Sequence, residues 1–321
     1  MAAEIARRAV GLLLIAGAAG FALSRAPDRP VETLIPRWAL PPSDFVDVAG
    51  MAVHIRDEGP RGDPLPVVLV HGTGASLHTW EGWARGLRAR HRVIRCDLPG
   101  FGLTGPLPDG SARVYGGDDD ARFMLDLMDR LGVRRFVIGG NSLGGEVAWR
   151  TATLAPERVA GLVLVDAAGL PVAAQQMPPG FAMARVPVLN RIGEHLLPRS
   201  LIERSLASVY GDPTRITPEL VDRYFELTLR EGNRRALTER IARWQPGRDA
   251  ARLAGIRQPT LILWGGQDRL IPPEAAAIFQ QRIAGSRLQV FEALGHVPHE
   301  EDPAQTLKPV ADFLASLKAQ G

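Results

Sequence analysis

Phe136-Val137-Ile138-Gly139-Gly140-Asn141-Ser142-Leu143-Gly144-Gly145 is the stretch on which the reading of this 321-residue chain turns. Residues 136–138 form a short apolar run of the kind found in strands buried on both faces. Residues 144–155 read as a helix. Ser142 stands at the switch, framed by Gly140 and Gly144 in the pattern G-x-S-x-G. A strand-to-helix turn this tight is crowded by neighbouring backbone, and glycine supplies the missing side-chain volume. The turn lifts the Ser142 hydroxyl above the carboxyl end of a sheet, where a nucleophile is accessible.

On either side of this stretch the chain alternates. Residues 45–48 and 51–55 show a period of two with Gly50 between them, an antiparallel hairpin. Short apolar runs at 66–70, 93–96, 162–165, 261–264 and 288–291 read as further strands. Helical patterns occupy 79–90, 118–131, 273–284 and 303–317; in the second, Phe123, Leu127 and Leu131 recur at a spacing of four. Strands alternating with helices predict an α/β fold with a mostly parallel sheet. The alternation stops between 169 and 256. Helical pieces at 218–231 and 234–244 make a helical insertion the better reading than one long loop.

A nucleophilic serine needs a base, and the base needs an orienting acid. His296 lies in Ala293-Leu294-Gly295-His296-Val297-Pro298, just after the last strand, and is the expected base. His299, three residues on, reads as a loop or surface histidine. Asp268, in Trp264-Gly265-Gly266-Gln267-Asp268 after the penultimate strand, is the expected acid; Asp166, at the end of 162–165, is the alternative. The order Ser142, Asp268, His296 fits a nucleophile–acid–base triad. The turn His71-Gly72-Thr73-Gly74 can aim the Thr73 amide at a developing oxyanion, with the Leu143 amide as second donor. His71 itself reads as the side chain that holds this turn.

These motifs, with Asp97-Leu98-Pro99-Gly100-Phe101-Gly102 and the run from Leu294 to Pro303, resemble the α/β-hydrolase superfamily over about residues 44–320. Within it the chain most resembles small esterases and the hydrolases that cut carbon–carbon bonds in meta-cleavage products. The resemblance implies an α/β-hydrolase fold with a helical cap at 170–255, inserted before the penultimate strand, and a core formed by 44–169 and 256–321. It implies acyl transfer to water on Ser142, with no metal and no organic cofactor. Serine at the elbow, rather than aspartate, argues against haloalkane dehalogenases and epoxide hydrolases. The expected substrate is a small or medium hydrophobic ester or lactone; Trp80, Phe181, Tyr224 and Trp244 are candidates to line its pocket. Carbon–carbon bond hydrolysis and a membrane-associated lipase are the alternatives. An ordinary histidine titrates near about 6.5, so activity is expected to rise through about pH 6–7.

The amino terminus reads separately. Arg7 and Arg8 precede an uncharged, largely apolar run at 9–23. That pattern fits an export signal or signal-anchor over residues 1–25, a route to membrane association that would put the rest of the chain outside the cytoplasm. A meta-cleavage substrate is usually made in the cytoplasm, so this reading favours the ester. Fifteen helical residues span about 22 Å, short for a membrane core of about 30 Å. Five prolines between Pro27 and Pro42 predict an extended linker over 26–43. Composition excludes other classes. Hydrophobic residues make up 45% and charged residues 23%, the balance of a globular domain. The single Cys96 excludes an internal disulfide framework. A net charge of +3, with no dense Lys/Arg run, argues against nucleic acid as partner. Oligomeric state leaves no signal in the sequence.

Overall fold

Eight strands form one sheet in the computed structural model, which describes residues 25–171 and 196–318. β1 (Ser43–Val48) and β2 (Met51–Glu58) make the expected antiparallel hairpin, with Phe45 opposite His54. β2 runs antiparallel to β4 (Val93–Cys96). Beyond it lie β3 (Val67–Val70), β5 (Phe136–Asn141), β6 (Val159–Val165), β7 (Thr260–Gly265) and β8 (Arg287–Phe291), all parallel. Every residue of β3 to β7 is buried. Their near-continuous apolar composition follows from helices covering both faces.

On one face the 3₁₀ turn Leu77–Trp80, α2 (Glu81–Leu87) and α10 (Pro303–Lys318) pack Trp80, Trp83, Leu87 and Phe313 against Leu69, Val137 and Val163. On the other, α3 (Gly117–Arg130), α4 (Leu143–Leu154) and α8 (Glu274–Arg282) pack Phe123, Leu127, Trp149 and Phe279 against Val68, Ile94 and Ile138. Each such side chain contributes about 1.5–3 kcal/mol by leaving water. Between β6 and β7 the described residues hold three helices, α5 (Arg199–Val209), α6 (Pro218–Thr228) and α7 (Asn233–Arg243), and no strand of the sheet.

The proline-rich stretch departs from expectation. Instead of an extended linker it contains α1 (Val31–Trp38), with Pro36 inside the helix. Val31, Leu34, Ile35 and Trp38 form a helical stripe, and Leu34 is buried against Leu103 and Leu227. Burying that stripe outweighs the one backbone bond that Pro36 removes. Arg37 pairs with Asp222 and Glu226 of α6, each at 2.8 Å, and Trp38 Nε1 donates to Glu226 at 2.7 Å. Proline content was thus a weaker signal than apolar spacing. The run at 9–23 lies outside the described residues, as does Phe181. Among the described residues, no helix is long and apolar enough to cross a membrane.

Candidate active site

β5 ends on Asn141, and Ser142 follows with φ +54° and ψ −117°. A non-glycine residue held there stores about 1–3 kcal/mol, supplied by surrounding structure. The Ser142 N–H donates to Val165 O (3.0 Å) and Ser142 O accepts from Ala168 N–H (2.9 Å), so the end of β6 clamps the turn. A Cβ on Gly140 would run into the backbone of Gly144, and one on Gly144 into the Val70 carbonyl. Leu143 is the first residue of α4, so its amide is among the donors that a helix leaves without an internal partner. The turn carrying Thr73 abuts the serine: a Cβ on Gly72 would lie 3.2 Å from Ser142 Cβ and 2.9 Å from Asn141 Oδ1. His71, fully buried, donates from Nδ1 to Gly72 O (2.8 Å) and accepts the Leu98 N–H at Nε2 (3.0 Å). Burial lowers its pKa, in keeping with a neutral ring that holds this turn.

The loops after β7 and β8 meet. His296 Nδ1 donates to Asp268 Oδ2 at 2.7 Å. The other oxygen, Asp268 Oδ1, accepts the amides of Leu270 (2.8 Å) and Ile271 (2.9 Å). His296 Nε2 is buried and has no hydrogen-bond partner in the structure. Asn141, beside the serine, donates from Nδ2 to the carbonyls of His296 (2.8 Å) and Val165 (3.2 Å). One side chain therefore ties the Ser142 turn to the His296 loop. Asn141 was missed in the sequence, where it is only a variable position of the motif; a polar residue closing an apolar strand was the available signal. Glu301 was missed too. It accepts the Gly295 N–H at 2.8 Å and the Gly211 and Asp212 amides at 3.0 and 2.7 Å, fixing the residue before His296 to the helical insertion.

Asp166 also reaches this cluster. Its backbone has φ +44°, its side chain is fully buried, and Oδ1 accepts the Gly265 N–H at 2.9 Å. Among the described residues, Asp166, Asp268 and His296 are the one group of three potential metal ligands, with donor atoms within 4.8 Å of one another. The nitrogen facing Asp268 is already hydrogen-bonded there.

The pocket candidates fare differently. Trp80 is a core residue, fully enclosed and 5.0 Å from Trp83 between ring centres, so it is withdrawn as a pocket residue. His299 is not a surface histidine: it stacks on Trp80 at 3.9 Å between centres, and burial pushes its pKa well down. Both corrections share one cause. The short helix α9 (Pro298–Glu301) packs against the Leu77–Trp80 turn. Tyr224 spends its hydroxyl on Glu300 (2.7 Å), which also pairs with Arg223. Trp244 is half-buried at the end of α7. A cavity of about 230 Å³ opens between α6, α9 and the Leu77–Trp80 turn, lined by His78, Tyr210, Leu220, Arg223, His299 and Glu300 among others. Ser142 and His296 are not among its lining residues.

Residues 66–303 match the family model described as alpha/beta hydrolase fold. The chain belongs to that family. It is 30% identical to the 2-hydroxy-6-oxo-2,4-heptadienoate hydrolase of Pseudomonas putida, over 85% of this chain and 96% of that one. An esterase from Thermogutta terrifontis superposes with a TM-score of 0.69 at 26% identity, covering 85% of this chain and 97% of its own. A bacterial membrane phospholipase A shares the fold over 99% of both chains, at a TM-score of 0.71 and 24% identity.

Proposed function

We propose that this α/β hydrolase is a serine hydrolase acting on small or medium hydrophobic carboxylic esters or lactones. Ser142 is the nucleophile, His296 its base and Asp268 the acid that orients the base. The observation that carries this reading is the state of His296. One ring nitrogen is committed to Asp268, which fixes the tautomer, and the other is buried with no partner. A neutral imidazole so held presents a lone pair and little else.

The steps follow from that arrangement. His296 Nε2 takes the Ser142 proton as Oγ attacks the carbonyl. The amides of Thr73 and Leu143 receive the oxyanion; losing one such donor costs about 2.7–4 kcal/mol of transition-state stabilisation. His296 then gives its proton to the leaving alkoxide, and an acyl-serine remains. Water enters, His296 removes its proton, and the acid is released. Asp268 stays ionised throughout, balancing the imidazolium. Residues 9–23 keep their reading as an export or anchor segment, which would deliver the enzyme outside the cytoplasm.

A second reading uses the same residues for carbon–carbon hydrolysis, favoured by the 30% identity to the heptadienoate hydrolase. One experiment separates the two. The full chain and Ser142→Ala are assayed on p-nitrophenyl esters from acetate to dodecanoate, with fluorophosphonate labelling alongside. Ester turnover that depends on chain length and is lost with Ser142 supports the esterase. Labelling of Ser142 without ester turnover favours the carbon–carbon reaction. A chain whose Ser142 is not labelled overturns both.

A further inference from the structure

Asp166 plays no part in the steps above, yet no acid of the cluster is more enclosed. Its carboxyl faces Asp268 on the loop after β7, His296 on the loop after β8 and Glu301 on α9. Three of these four groups are acids. Their hydrogen bonds divide unequally. Asp268 accepts three donors: two backbone amides and the His296 ring. Glu301 accepts three backbone amides. Asp166 accepts one, from Gly265, and its Oδ2 is buried without a donor. The Asp268 carboxylate, itself an acceptor, lies beside it, with an oxygen of each within 4.8 Å of the other. Two adjacent acceptors without a donor are mutually repulsive, and two ionised carboxylates in contact inside a protein do not persist. A hydrogen on Asp166 Oδ2 resolves both faults at once. Burial, and then the Asp268 charge, raise the Asp166 pKa well above the usual carboxylate range, in the same direction.

We propose that Asp166 is a neutral carboxylic acid at physiological pH that donates its hydrogen bond to Asp268, a positioning residue leaving one negative charge beside His296. This rests on the triad reading given above. The role has a chemical purpose. Two carboxylates beside one imidazole would favour its protonated form, which cannot accept the Ser142 proton. A neutral donor instead holds Asp268 in place. One residue after Val165, whose carbonyl takes the Ser142 N–H, it also links the end of β6 to the end of β7 through Gly265.

The test uses the full chain. Infrared spectra at pH 7 should contain the C=O stretch of a protonated carboxyl that disappears in Asp166→Asn. The pH profile of fluorophosphonate labelling supplies a readout that a merely structural role would not move. Asparagine removes a proton donor but no charge, so labelling should slow several-fold while the acid limb stays within about 0.3 pH unit. An ionised Asp166 would give the reverse: no band lost, and an acid limb moved down by about 1–3 units as a charge beside the imidazole disappears. The wild type alone gives a second reading should the variant fail to fold. With aspartate carboxyls labelled in carbon-13, one resonance should sit at the protonated position at pH 7; all of them at the carboxylate position would overturn the proposal. Neither spectrum depends on turnover. Failure of the triad reading would leave Ser142 unlabelled with the acid band intact, whereas failure of this inference would leave labelling intact and the band absent.

Discussion

Replacing Asn141 with alanine removes a side chain that joins the Ser142 turn to the His296 loop. The wild-type amide donates to His296 O at 2.8 Å and to Val165 O at 3.2 Å. Val165 O keeps the Ser142 N–H after the change, at 3.0 Å, so one carbonyl rather than two loses its donor. An unsatisfied buried acceptor costs about 1–3 kcal/mol. In a protein of this size, each kcal/mol lowers the melting temperature by about 2–4 °C, so a loss of about 2–12 °C is expected. The rate should suffer beyond that. His296 Nε2 must lie within hydrogen-bond reach of Ser142 Oγ, and a displacement of about 1 Å costs about 100-fold. Partial retention is expected, because His296 N–H still donates to Val209 O at 2.7 Å and Gly295 N–H to Glu301 at 2.8 Å. The expected result is a 10- to 100-fold slower second-order labelling of Ser142 by a fluorophosphonate, and an equal fall in kcat on any ester turned over, with KM little changed. Labelling within twofold of wild type, alongside the lowered melting temperature, would refute the reasoning and leave Asn141 a purely structural bond.

Two further predictions rest on burial. His71, His78 and His299 are all driven down by desolvation, His78 to about 3, so each stays neutral in the fold while its unfolded counterpart protonates below about 6.5. Each ring that stays neutral costs up to about 1.4 kcal/mol of stability per pH unit of acidification below that value, the raised carboxyls of Asp166 and Glu146 act in the opposite sense, and urea titrations should show a lower midpoint at pH 5 than at pH 6; equal midpoints at both values would contradict the buried, neutral rings. Leu34→Ala should cost about 2–4 kcal/mol by opening a cavity beside Leu103 and Leu227, seen as a melt shifted down by about 5–10 °C; a shift under 1 °C would mean that α1 does not dock.

The sequence made the strand ladder legible because both-face burial leaves unbroken apolar runs, and the elbow legible because sterics dictate glycine on either side of Ser142. What escaped it were contacts set by tertiary geometry. Trp80 and His299 meet only because α9 packs on the Leu77–Trp80 turn, about 220 residues away along the chain. Asn141 and Glu301 act through backbone carbonyls and amides of other loops, and no local pattern encodes such partners. Pro36 misled because its cost is local, while the stripe Val31, Leu34, Ile35 and Trp38 is stabilised by residues in α6 and the loop after β4.

Hydrogen-bond pattern alone would not single out Ser142. A second relay exists: Ser43 Oγ lies 2.9 Å from His54 Nε2, and His54 Nδ1 lies 2.7 Å from Asp97 Oδ2. The residue types and the order of bonds are those of a catalytic triad. Two differences set it apart. Ser43 begins a strand instead of standing at a strained elbow, and its Oγ also accepts Arg56 Nε at 3.0 Å, which draws on the lone pairs a nucleophile would use. His54 Nε2 is already occupied, where His296 Nε2 is free. Asp97 collects the Leu77 and Leu103 amides as Asp268 collects those of Leu270 and Ile271, and the filled relay braces β1 and β2 to the loops after β3 and β4. Burial would raise that carboxyl, but His54 beside it outweighs the effect and holds it well below the usual range, the signature of a permanent structural anion. Function in this fold therefore follows from the valence left open. The same residue types brace the fold where every donor and acceptor is matched, whereas His296 keeps one ring nitrogen without a partner, the position the proposed function gives to the base.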